Sequence, residues 1–180
     1  MKLKKIKGFT LIETLVVISV FLALVTISLQ LYRSIKNNIN LNIEIGHIDT
    51  IYVNLNKAFS DVLGDYDDSF IDSTYLINSR SVPKGLIYNK GRDIFINSFG
   101  GDVEIKNSGE KGFQVTTKGV PTVYNCTKLV KSQEDKGWSS IEINSRVFNG
   151  SDLGKDFYKA CSDKTSGNVI KLVRTWTVGG

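Results

Sequence analysis

Between Gly8 and Leu31 the chain reads GFTLIETLVVISVFLALVTISLQL, behind a short tail that carries Lys2, Lys4, Lys5 and Lys7. From Phe9 to Leu29 every side chain is apolar or a small hydroxyl except Glu13. As a helix this run spans the roughly 30 Å of a bilayer's hydrocarbon core. A carboxylate inside it is costly: an acidic residue at the centre of a membrane helix costs about 2.5–3.5 kcal/mol on insertion scales. Glu13 therefore needs a partner, and the rest of the chain must be arranged around a helix that water does not tolerate.

Three readings compete for this stretch. A cleaved secretory signal requires a small-residue site after the apolar core, and SLQLYRSIKNN provides none. A plain N-terminal anchor leaves Glu13 as an unexplained cost. The third is a cut before the apolar run, which leaves the helix on the mature protein. K-G-F-T-L-I-E, with glycine directly before a hydrophobic residue and glutamate four residues after that one, resembles the processing site of type IV prepilins and pseudopilins. The resemblance implies cleavage by a prepilin peptidase between Gly8 and Phe9, N-methylation of Phe9, and an assembly role for Glu13. A neighbour's carboxylate would neutralise the new ammonium and set axial register.

Charge supports the same orientation. The formal net charge of +5 includes four leader lysines and no leader acid, so removing them leaves +1. Positive residues flanking the first membrane helix keep that end in the cytoplasm and send the chain after about Tyr32 outward. A net charge this small gives no direct indication of nucleic-acid binding. About 170 mature residues allow one globular core.

Beyond the membrane run, Ile48, Ile51, Tyr52, Leu55, Phe59, Val62 and Leu63 recur at helical spacing, so the helix is expected to continue as an amphipathic rod capped at Gly64. Asparagines and Gly46 between Ser34 and Gly46 invite a bend or local melting there. Residues 65–90 read as a connecting loop, opening on an acidic turn (DYDD), with a short strand or turn near Thr74–Asn78. The period then changes to two: Ile94/Ile96, Val103/Ile105 and Phe113/Val115 alternate with polar residues across the turns SFGGD and NSGEKG. Tyr124–Glu134 has short-helix spacing, Ser139–Asn144 and Val147–Asn149 read as strands, Leu153–Cys161 as a second short helix, and Asn168–Trp176 as a strand inside the sheet. The expected organisation is a leader (1–8), a transmembrane or filament-core helix (9–31), its amphipathic continuation (32–64) and a globular head (65–180). The fold class is α+β, a long helix on an antiparallel sheet.

Cys126 and Cys161 fall on the exported side, where thiols oxidise; a disulfide is expected, with two free buried thiols as the alternative. A paired loop near the C-terminus is also what the pilin resemblance implies. FGGDVEI, VPTVYNCTKL, IEIN, KAC and NVIKL together resemble the type IVb pattern, with a proline shortly before the first cysteine and a final strand after the second.

No catalytic or metal-binding set emerges. His47 is the single histidine and reads as a solvated helix position, so Ser-His-Asp and His-metal arrangements lack parts. Asp65–Asp68 lacks calcium-loop spacing, the Gly pairs at 100–101 and 179–180 lack a phosphate-loop context, and Asn149-Gly150-Ser151 is a weak sequon. No cofactor and no enzymatic activity are expected. The resemblance implies a structural pilus subunit: a single-pass inner-membrane precursor, then part of an extracellular filament, with other pilin subunits and the assembly machinery as partners. A minor pilin or pseudopilin, type II secretion included, is the alternative. A non-polymerising membrane-anchored binding protein is the alternative from a different class.

Overall fold

The computed structural model describes residues 10–60, 72–108, 112–149, 156–163 and 165–176. Helix α1 runs unbroken from Leu11 to Ser60, 50 residues. The expected melting between Ser34 and Gly46 does not occur: that segment is helical throughout. The chain divides into two compact units, Met1–Asn37 and Asn38–Gly180.

The first unit is, in its described part, the start of α1. It is long and apolar enough to cross a membrane, by length and composition. Its few hydroxyls donate back to their own helix: Thr14 Oγ1 to Thr10 O, Ser19 Oγ to Val16 O, Thr26 Oγ1 to Leu22 O and Ser28 Oγ to Leu24 O. These four hydroxyls are thereby satisfied without water, as a lipid-facing helix requires.

In the second unit α1 lies on a seven-stranded antiparallel sheet. The strands are β1 (Ile87–Asn89), β2 (Ile94–Ile96), β3 (Asp102–Asn107), β4 (Gly112–Val120), β5 (Ser140–Ile143), β6 (Arg146–Asn149) and β7 (Asn168–Thr175). Their order is β1-β2-β3-β4-β7-β5-β6, so the last strand enters between β4 and β5. Register aligns Ile105 with Val115, Val115 with Leu172, and Leu172 with Ile141, a row of buried apolar side chains across four strands. This is the alternation of a sheet with one covered face. On the opposite face of β3, Lys106 and Lys118 both pair with Glu104, and these hydrogen bonds hold its carboxyl below the usual range.

The cover is α1 itself. Leu41, Ile48, Ile51 and Leu55 are buried, and the Tyr52 ring lies tilted 4.7 Å from Trp138, which meets Phe113 edge-on at 5.6 Å. The buried stripe starts at Leu41, seven residues earlier than the apolar ladder indicates, and it contains charge. Glu44 is fully buried; its carboxylate accepts from Ser98 N at 3.2 Å and Thr117 Oγ1 at 3.1 Å. His47 is also buried, with Nε2 3.3 Å from Lys84 O and Nδ1 3.7 Å from Glu44. The solvated position expected for His47 is corrected: one helical turn beyond Glu44, it faces the domain and meets the 83–86 turn.

Helix α2 (Ser73–Asn78) replaces the strand or turn expected there, capped by Asp72 accepting from Tyr75 N at 2.9 Å and seated by buried Leu76. Helix α3 (Val123–Gln133) follows Pro121, with Thr122 as its N-cap. A 3-10 turn spans Phe157–Ala160. The remainder of the helix expected from Leu153, the Gly64 cap, the DYDD turn, the turn at 109–111 and Gly179-Gly180 lie outside the described residues. Gly119, at φ +76°, sits where the β4–β7 register shifts, and Gly167 packs so close that a Cβ would come within 2.6 Å of its backbone.

Candidate functional site

The first turn of α1 carries the only acidic side chain of the membrane-length run. Thr10 precedes the helix and Glu13 stands three residues later, the S/T-x-x-E spacing of a capping box. Glu13 Oε2 accepts from Thr10 N at 3.0 Å and from Thr10 Oγ1 at 3.1 Å, while Thr10 Oγ1 accepts from Glu13 N at 3.3 Å. Three orphan polar groups of the helix start are thus satisfied reciprocally, and the negative charge lies at the positive end of the helix dipole. The other carboxylate oxygen, Oε1, accepts nothing among the described residues. It remains available to a cation supplied from elsewhere.

Around this box, the apolar side chains of the first unit are exposed among the described residues. Leu11 is 80% exposed, Phe21 62% and Leu31 59%. So long an uncovered apolar surface has to meet lipid or another protein. The chemistry available is therefore charge neutralisation at one end of a greasy helix, and burial of that helix among others.

The other expected site residues are placed as follows. Gly8 and Phe9 lie outside the described residues. Cys126, on α3, and Cys161, just after the 3-10 turn, form a disulfide with Cα atoms 5.9 Å apart, and both are buried. The bond ties α3 to the segment that leads into β7. Two residues escaped the sequence reading. Thr10 was detectable from T-L-I-E as a capping box; Glu44 had no local signal, because its partners come from residues 98 and 117.

A family model described as "PilS N terminal" matches residues 38–174. A second, described as "Prokaryotic N-terminal methylation motif", matches residues 3–29. No curated protein matches the chain. Among solved structures, the chain is similar to a type IV b pilin from Salmonella typhi at a TM-score of 0.58 and 17% identity, over 74% of this chain and 98% of that one. The likeness is one of fold alone.

Proposed function

Because the chain belongs to the PilS N-terminal family of type IV pilins and has the fold of a type IVb pilin, we propose that it is a structural subunit of an extracellular type IV pilus. In this reading residues 1–8 are a leader that prepilin peptidase removes, Phe9 becomes the methylated N-terminus, and residues 9–31 form the membrane and filament-core helix. Residues 32–64 continue that helix into the head, 65–180. The subunit waits in the inner membrane as a single-pass protein and leaves it by joining other pilin subunits through the assembly machinery. Its role is structural, not enzymatic.

The observation that carries the reading is the first unit of α1: an exposed apolar helix whose hydroxyls at Thr14, Ser19, Thr26 and Ser28 bond back to the helix, with one half-occupied carboxylate in its first turn. A neighbour's Phe9 ammonium would complete Glu13 through Oε1, and neighbouring helices would replace lipid around the apolar face at little solvation cost. The test is mass analysis of the protein in sheared surface filaments. The expected N-terminus is Phe9 carrying one methyl group, in a protein that dominates the filament. Filaments in which it is a trace component would assign it to the minor pilins or pseudopilins; a chain still starting at Met1 and confined to the membrane would defeat the reading.

A further inference from the structure

Between residues 38–45 of α1 and helix α3 lies a cleft of about 410 Å³. Leu41 and Ile45 form its apolar lining, Tyr124 stands at its edge, and Asn42, Lys128 and Lys131 supply polar groups. The arrangement follows from the periodicity of α3. Cys126, Leu129, Val130 and Gln133 are buried, which turns Tyr124, Lys128 and Lys131 outward at positions i, i+4 and i+7. Neither lysine has an ion pair among the described residues, whereas Lys106, Lys118, Lys136, Lys159 and Lys171 each hold a carboxylate.

This mixture of groups selects its ligand. A small anion from solution would pair with the lysines and leave the Leu41–Ile45 lining wet, while an apolar peptide would cover that lining and strip water from two unpaired ammonium groups. An amphiphile with an anionic head above a hydrocarbon base satisfies both, and Tyr124 is the residue type that membrane–water interfaces favour. Such a surface lies within reach of the chain. Leu31 ends the apolar run and Asn38 opens the cleft seven residues later, at most about 25 Å of chain even when fully extended. Arg33 and Lys36 fall in that interval, and no acidic residue stands between Glu13 and Glu44, so this stretch repels no anionic headgroup. The short tether also holds headgroups at high effective concentration around the cleft, so contacts too weak to recruit a free protein suffice.

We infer that the α1–α3 cleft docks on anionic phospholipid headgroups at the outward face of the membrane; this rests on the membrane-anchored stage of the function proposed above. Lys128 and Lys131 meet the anionic heads, and the Leu41–Ile45 lining covers the glycerol and first acyl carbons beneath them. The attraction is electrostatic at its rim, so salt screens it. The contact holds the head against the bilayer while the subunit waits, and a subunit leaving for a filament gives it up.

The full-length chain in lipid nanodiscs tests it, once with phosphatidylcholine alone and once with an equal mixture of phosphatidylcholine and phosphatidylglycerol. Lysine acetylation by a water-soluble reagent, read residue by residue by mass spectrometry, reports access. Relative to Lys90 and Lys106 of the same molecule, Lys128 and Lys131 should react about fivefold more slowly in the anionic discs than in the neutral ones, and high salt should erase the difference. Lys128→Gln should weaken the protection of Lys131, and Lys131→Gln that of Lys128, because the two cations share one bed of headgroups. In an inserted chain, equal rates in both lipids overturn this inference alone: fast ones leave the cleft open to solvent, and slow ones mean that a second copy or another surface covers it. Slowing shared equally by Lys90 and Lys106 overturns it too, since a field acting on the whole head then accounts for the result. A chain that does not remain with the discs defeats the membrane-anchored reading and this inference together. Protection in the anionic discs supports this inference even where no filament contains the protein, a result that defeats the filament reading alone.

Discussion

Glu13 is held by its own chain. Thr10 N–H and Oγ1–H both address one carboxylate oxygen, and this lowers the cost of carrying the carboxylate in a membrane helix. The peptide N–H of Thr10 would survive the proposed cut between Gly8 and Phe9, so the box would be present in the chain before and after it. Glu13→Ala is expected to abolish filaments while processed subunit accumulates in the membrane, and Glu13→Gln should be nearly as defective if an ammonium is the partner. Thr10→Val removes one of the two donors, worth about 1 kcal/mol in capping terms, and should reduce the filament-to-membrane ratio less than Glu13→Ala; Thr10→Ser should assemble normally. Normal piliation by Glu13→Ala sinks the ion-pair mechanism even with the family unchanged. At this scale legibility depended on distance along the chain. Glu13 stood out against an apolar run and its T-x-x-E box is local, but Glu44 and His47 sit in E-I-G-H, which reads as a polar helix surface. Only the approach of Ser98 and Thr117 makes that surface an interior.

At the scale of elements, period carried most of the reading. The strands at Ile94–Ile96, Asp102–Asn107 and Gly112–Val120 follow from apolar alternation, and the place of β7 inside the sheet agrees with its β-rich run through Ile170, Leu172 and Val173, which has little turn chemistry. Short elements were less readable. Tyr75 and Ile77 alternate like a strand, yet Asp72 caps a six-residue helix there and Leu76 seats it in the core. The Cys126–Cys161 bond belongs to this scale, because it closes a loop of sequence separation 35 around α3, the β5–β6 hairpin and the 3-10 turn. On the chain-entropy estimate that closure contributes about 4 kcal/mol. Cys126→Ser should therefore lower the thermal midpoint of the head by about 10 °C and reduce subunit yield, with leader cleavage untouched on the other side of the membrane. Thermal unfolding of the wild type with and without reductant checks it; equal midpoints would remove the bond from the account of stability.

For the whole molecule, one helix serves two solvents. Among the described residues its apolar side chains are exposed as far as Ile35, and from Leu41 onward they contribute to the core of a domain. The second unit owns its interior: Leu41, Ile48, Ile51 and Leu55 pack with the sheet, Tyr52, Phe113 and Trp138 form one aromatic cluster, and the disulfide lies wholly inside it. Nothing in that list draws on a residue before Leu41, so the unit holds what a domain needs to fold alone. A chain begun at Asn38 should consequently be soluble without detergent, monomeric and disulfide-bonded, and unfold in one cooperative transition followed by the fluorescence of Trp138. The full chain should need detergent or lipid, because the apolar first unit is then present. The shortened chain should also fail to form filaments at any concentration, since the Thr10–Glu13 box and the apolar helix are gone. Size-exclusion chromatography, a melting curve and electron microscopy of the same sample make the check. An aggregated or unfolded product would mean that the first unit contributes to the head's stability, and filaments from the shortened chain would mean that assembly is driven by the heads and not by the helix.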